Sequence, residues 1–78
     1  MHVVIPLHQL RRGSRALVAE VVGTVEQVQR MRELGVSQGV ELEMVQPGSP
    51  CIVRFGNHKL CLRAADALGV LVSTGESS

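Results

Sequence analysis

Arg30-Met31-Arg32-Glu33-Leu34-Gly35-Val36-Ser37-Gln38-Gly39 is the stretch on which the reading of this chain turns. Val28, Met31 and Leu34 recur at helical spacing, with Glu26, Gln29, Arg30 and Glu33 outside them. Gly35 then stands where a helix ends in a left-handed residue, and Val36 can touch Met31 across the resulting Schellman turn. Ser37-Gln38-Gly39 turns the chain. Val40-Glu41-Leu42-Glu43-Met44-Val45 follows with a period of two, so one face is core and the other carries Glu41 and Glu43. A helix hands over to a strand within a few residues.

Upstream, Thr24-x-x-Gln27 fits a capping box, and Glu26 and Arg30 form an i,i+4 pair in the favourable order. Gly23 separates this helix from residues 15–22, whose β-branched content favours a strand buried on most of its surface. Arg11-Arg12-Gly13 is a turn signal. Residues 1–10 read as an irregular arm or single turn, with Leu7 and Leu10 capping a core edge.

Downstream, Pro47-Gly48-Ser49-Pro50 is a rigid loop. Residues 51–55 and 58–63 flank Gly56-Asn57, a two-residue hairpin turn that sets the register. Phe55 then faces His58, Val53 faces Leu60 and Cys51 faces Leu62, on an inward face. Ile52, Arg54, Lys59, Cys61 and Arg63 share the outward face. Residues 64–68 form a short helical turn ended by Gly69, Val70-Leu71-Val72 is a last strand, and residues 73–78 are a frayed tail. The fold expected is mainly β: a small SH3-like barrel of about five strands, with one α-helix inserted after the first strand. It is a single domain over residues 1–78, with its core at about 7–72 and an arm at 1–6.

Composition narrows the function. Apolar residues make up 45% of the 78, which excludes a disordered chain. Phe55 is the sole aromatic, so there is little stacking surface. Seven of the eight basic residues are Arg, against seven acids, for a formal charge of +1; that balance does not by itself imply nucleic acid or an anionic membrane. No apolar run reaches signal-peptide or membrane-span length, so a cytoplasmic protein without direct membrane insertion is expected. Cys51 and Cys61 are then free thiols.

No nucleophile or metal-protease motif is present, and an enzyme is not expected. For metal, the register puts Cys51 and Cys61 on opposite faces of the hairpin, poor geometry for a shared ion or a disulfide. His2, His8, His58 and Cys61 remain as weak candidate ligands for a divalent ion such as Fe²⁺ or Zn²⁺; no cofactor is required. Arg54, Lys59 and Arg63 form an outward basic strip, and Arg11, Arg12 and Arg15 a second cluster. Phosphate tracking uses such charges, but single-strand binders also use stacking aromatics, so nucleic acid is not expected as the partner.

Leu7-x-x-Leu10-x-x-Gly13, Arg30-Met31-x-x-Leu34-Gly35-Val36-x-x-Gly39, Pro50, Leu60-x-Leu62-Arg63 and Ala67-x-x-Val70-x-Val72, in that order and spacing, resemble the FeoA family, the small ferrous iron transport protein A. The resemblance runs from about Leu7 to Val72. It implies an SH3-like barrel with an inserted helix and no catalytic residue to carry over. It also implies a cytosolic regulatory or scaffolding accessory of the FeoB ferrous iron permease, whose cytosolic part is a G-protein domain. The loop from Gln46 to Pro50 is shorter than the family's usual one, and Gln38 stands where the family often has Pro. The module also resembles the C-terminal domain of iron- and manganese-dependent repressors, where it follows a helical DNA-binding region; a chain beginning at Met1 is expected to be the stand-alone form.

The expected function is therefore protein–protein interaction in ferrous iron uptake. Its alternative is an SH3-like metal-responsive or nucleic-acid-binding module. Arg is favoured at protein interfaces, which singles out the helix end, Arg30, Arg32 and Glu33, and the strip Arg54, Lys59 and Arg63. An exposed strand edge also leaves a homodimer open.

Overall fold

The helix end at Gly35 folds as its residues dictate. The Val36 N–H donates to the Met31 carbonyl at 2.8 Å and the Gly35 N–H to that of Arg32 at 3.0 Å, both bonds of a Schellman motif. Gly35 sits at φ +97°. At the other end, Thr24 Oγ1 accepts from the Gln27 N–H at 3.1 Å while Gln27 Oε1 accepts from the Thr24 N–H at 3.0 Å. Helix α1 therefore runs Val25–Glu33 with both ends satisfied.

The computed structural model describes residues 2–75. Its strands are β1 His2–Pro6, β2 Arg15–Val21, β3 Glu41–Gln46, β4 Cys51–Phe55, β5 His58–Leu62 and β6 Val70–Gly75. They form one sheet in the order β1-β6-β2-β3-β4-β5, every neighbouring pair antiparallel. A 3₁₀ turn, Leu7–Gln9, links β1 to β2, and a second helix, α2 Ala64–Ala67, links β5 to β6.

Two irregularities curl the sheet. The β2–β6 register shifts between Val18 and Glu20, and the β3–β4 register between Met44 and Gln46, leaving Ala19 and Val45 as extra residues that bend their strands. The curled sheet has the SH3-like form but stays open, since β1 and β5 end its strand order. On the open side α2 touches both β5 and the 3₁₀ turn, which in turn touches β6. The interior is aliphatic: Leu7, Val18, Met31, Leu42, Met44, Val53, Leu62 and Val72 are all buried. Among the described residues no polar or charged side chain is buried. The two core methionines fill gaps that stiffer side chains would leave.

The hairpin register matches the sequence reading pair for pair: Cys51 opposite Leu62, Val53 opposite Leu60, Phe55 opposite His58. Other expectations need correction. The arm is strand β1, because its backbone pairs with β6 from His2–Gly75 to Pro6–Leu71. Thr74 Oγ1 adds a bond to the Val3 carbonyl at 3.3 Å. For the same reason Ser73, Thr74 and Gly75 are strand rather than tail; residues 76–78 lie outside the described residues. There are accordingly six strands, not about five, and α1 follows the second.

Strand β2 alternates instead of being buried on most of its surface: Ala16 and Val18 face the core while Leu17 is half exposed. Leu34 is also partly exposed, because Gly35 turns the chain away before the last helical position reaches the core. On the inward face of the hairpin, burial fades toward the tip, where Phe55 and Leu60 are half-buried and His58 is exposed.

Candidate interaction surface

A row of charge crosses the outer face of the sheet. Arg15 on β2 is paired with Glu43 on β3, Glu43 with Arg54 on β4, and Arg54 with Lys59 on β5. Directly paired residues present their side chains on the same face, so four charged side chains stand in one line across four strands. At strand spacing the line spans roughly 14 Å. Arg15, Arg54 and Lys59 are exposed and Glu43 half-buried. The Arg54 Nη2 donates to Glu43 Oε1 at 3.4 Å, a long and exposed pair. Arg15, Glu41, Glu43 and Arg54 line a shallow hollow of about 420 Å³, with Phe55 and Gly56 at its border.

Beside this row Ile52 is paired with Cys61, with Arg63 two residues beyond Cys61 at the start of α2. The Arg11-Arg12-Gly13 turn is fastened to β3: the Gly13 N–H donates to the Met44 carbonyl at 2.7 Å and the Met44 N–H to that of Ser14 at 2.9 Å. The strip Arg54, Lys59, Arg63 and the cluster Arg11, Arg12, Arg15 therefore adjoin. No local pattern of residues signals this, because it depends on the register of β2 against β3, strands separated by the whole of α1. That register is held by Val18 and Val40 (2.8 Å) and by Gly39 and Val18 (2.8 Å), both backbone bonds.

The helix-end residues divide. Glu33 joins Leu34, Gly35, Phe55, His58, Lys59 and Leu60 around a cleft of about 340 Å³ where the end of α1 meets the hairpin tip. Arg32 lies on another side of α1, over a smaller cleft shared with Glu20, Ser37 and Gln38. Arg30 is exposed on the helix. Phe55 is tilted against His58, ring centroids 6.0 Å apart, and packs over Gly35.

The candidate metal ligands are not brought together. His58 and Cys61 alternate onto opposite faces of β5, His8 is exposed in the 3₁₀ turn, and of the His2 side chain nothing is described. Among the described residues no group of three or more His, Cys, Asp or Glu could hold an ion. Both cysteines are free, Cys51 buried and Cys61 exposed. Burial pushes the Cys51 thiol up from its ordinary value; a backbone hydrogen bond opposes this, and the charge of Cys61 adds to it.

Residues 5–74 match the family described as the FeoA domain. The chain belongs to the FeoA family. Among solved structures, the FeoA of Stenotrophomonas maltophilia, complexed with zinc and described as an SH3 domain protein, is 31% identical, with a TM-score of 0.76 over 87% of this chain and 88% of that one. An iron uptake regulatory protein, also a FeoA, superposes with a TM-score of 0.84 at 21% identity, covering 90% and 96% of the two chains. A manganese-dependent transcriptional repressor shares the fold at 16% identity and a TM-score of 0.84, this chain covering 42% of it. No curated protein sequence matches. Among the described residues no helix is long and apolar enough to cross a membrane.

Proposed function

We propose that this FeoA-family chain is a non-enzymatic, cytoplasmic accessory of ferrous iron uptake that acts by binding the cytosolic G-protein part of a FeoB-type permease. The observation that carries the reading is the family match over residues 5–74, nearly the whole fold. The surface chemistry supports it. Catalytic acids and bases usually work from partly buried, tuned positions, whereas the charged groups described here lie at or near the surface. An Arg-rich outer face is suited to binding a protein. Neither the basic row nor the helix end needs a resident metal to form.

The test is a calorimetric titration of the chain with the permease's cytosolic domain, with and without GTP. Saturable binding in the micromolar range or tighter is expected. No heat at high micromolar concentration overturns the reading. A parallel titration with Fe²⁺ or Zn²⁺, read by the His resonances, tests the metal-responsive alternative.

A further inference from the structure

The row Arg15–Glu43–Arg54–Lys59 has a consequence for what the sheet can bind. Three cations and one anion stand in line, the Arg11-Arg12 turn is fastened beside them, and Arg63 lies at the far end of β5. Six of the chain's eight basic residues thus belong to one region, although the chain as a whole is nearly neutral. Of the seven acids, Glu41 and Glu43 stand among them, and Glu43 is already engaged by Arg54. Arg15 and Lys59, at the two ends of the row, have no ion-pair partner among the described residues.

We infer that the outer face of β2–β5 docks an extended acidic segment of a protein partner, laid across the strands so that its carboxylates meet Arg15 and Lys59 while its apolar side chains rest on Ile52. The inference rests on the reading above for the identity of the partner but not for the chemistry of the contact. Charge complementarity selects an acidic occupant. Carboxylates two residues apart on an extended chain are separated by about 7 Å, so alternate acidic residues along a short segment span the distance between Arg15 and Lys59.

Two features favour protein over nucleic acid. The chain's one aromatic, Phe55, borders the hollow but packs over Gly35 and against His58, and a single ring is no platform for successive bases to stack on. Glu41 and Glu43 also break the run of cations; a peptide can space its carboxylates around them, whereas a phosphate backbone carries a charge at every nucleotide. The apolar Ile52, half-buried beside Cys61, suits a protein interface, in which charge surrounds a small apolar centre. Arg30 and Arg32, on α1, are outside this face.

The experiment is a titration of the ¹⁵N-labelled chain, at low and raised salt, with three probes: a Glu-rich peptide, an oligothymidylate, and the permease's cytosolic domain. Arg15→Glu with Lys59→Glu is the test variant, because it spares the Arg54–Glu43 pair; Arg15→Gln with Lys59→Gln replaces it if charge reversal prevents folding. Val25→Glu with Gln29→Glu, both exposed on α1, is the control. The peptide is expected to shift amides of β2–β5 in a salt-sensitive way. The test variant should lose about tenfold or more in affinity, and the control should keep the affinity of the unaltered chain.

The inference is overturned if the peptide leaves the β2–β5 amides unmoved, if its shifts map to α1, or if the test variant binds as the unaltered chain does. It is overturned in favour of nucleic acid if the oligothymidylate binds at least as tightly as the peptide. If the permease domain binds and ignores the Arg15/Lys59 changes, the docking face is wrong while the functional reading stands. If the peptide binds the row and the permease domain does not bind at all, the face stands and the functional reading falls.

Discussion

Gly35 is fixed twice over, by its backbone and by its neighbour. Its φ of +97° is one that side chains rarely adopt, and a Cβ there would lie 2.9 Å from Phe55 Cε2. Gly39 has nearly the same φ, +92°, but nothing within 4 Å of an added Cβ. Gly35→Ala should therefore destabilise by roughly 1–3 kcal/mol and more than Gly39→Ala, which meets only the backbone penalty. Urea denaturation of both variants checks this, and equal losses would mean the ring gives way freely. Cys51 and Cys61 differ as sharply. At mildly alkaline pH a thiol reagent should label Cys61 quickly and Cys51 only as fast as the chain opens. The buried thiol also ties stability to pH. Its folded pKa is raised, so above the ordinary thiol range, about 8.5, the unfolded chain loses its proton first and stability falls as pH rises toward the folded value. Below that range the contribution is fully present. Cys51→Ala should remove this part of the alkaline slope in the melting temperature, at the cost of a small cavity.

Helix α1 shows how far local chemistry reaches. Its capping box was legible because Thr24 and Gln27 meet within one turn, and Thr24→Ala should cost about 1 kcal/mol in chemical denaturation. The Schellman turn at Gly35 and the β4–β5 register at Gly56-Asn57 were legible for the same reason: each is decided within a few residues. What the sequence hid was decided at a distance. Residues 2–6 and 73–75 are unremarkable as isolated segments and become strand through their pairing with each other, to which Ser73 adds its pairing with Leu17 on β2. Leu17 is half exposed, which the apolar run of residues 15–22 does not show, because the bulge at Ala19 and the neighbouring strands decide which of its members are covered. The candidate surface follows the same division. Arg54 and Lys59 could be put on one face from the hairpin alone, whereas Arg15 joins them only through β3. The Arg54–Glu43 pair within that row is exposed and 3.4 Å long. Replacing Glu43 with Gln should change stability by less than about 1 kcal/mol, an effect that shrinks with salt.

At the scale of the molecule, the first and last strands meet at one side of the sheet, with β6 lying between β1 and β2. Removing residues 1–6 should turn β6 into an edge, uncover part of the core beside Ile5, and cost a few kcal/mol, since several ladder hydrogen bonds are lost at about 1 kcal/mol each. Amide exchange at Ser73 and Thr74 should accelerate in that truncated chain; unchanged protection would show β1 to be dispensable. The β1–β6 pairing also has a topological outcome. His2 stands opposite Gly75, so the path into the module and the path out of it lie side by side, at the opposite end of the strand order from β5 and Lys59. A short flexible linker from residue 75 to residue 2 would close the backbone into a ring, and new termini could then be opened at the exposed Pro47–Pro50 loop. By the same token, the module can be spliced into a surface loop of a larger protein like a cassette, tethered at one corner, with its charged face turned outward.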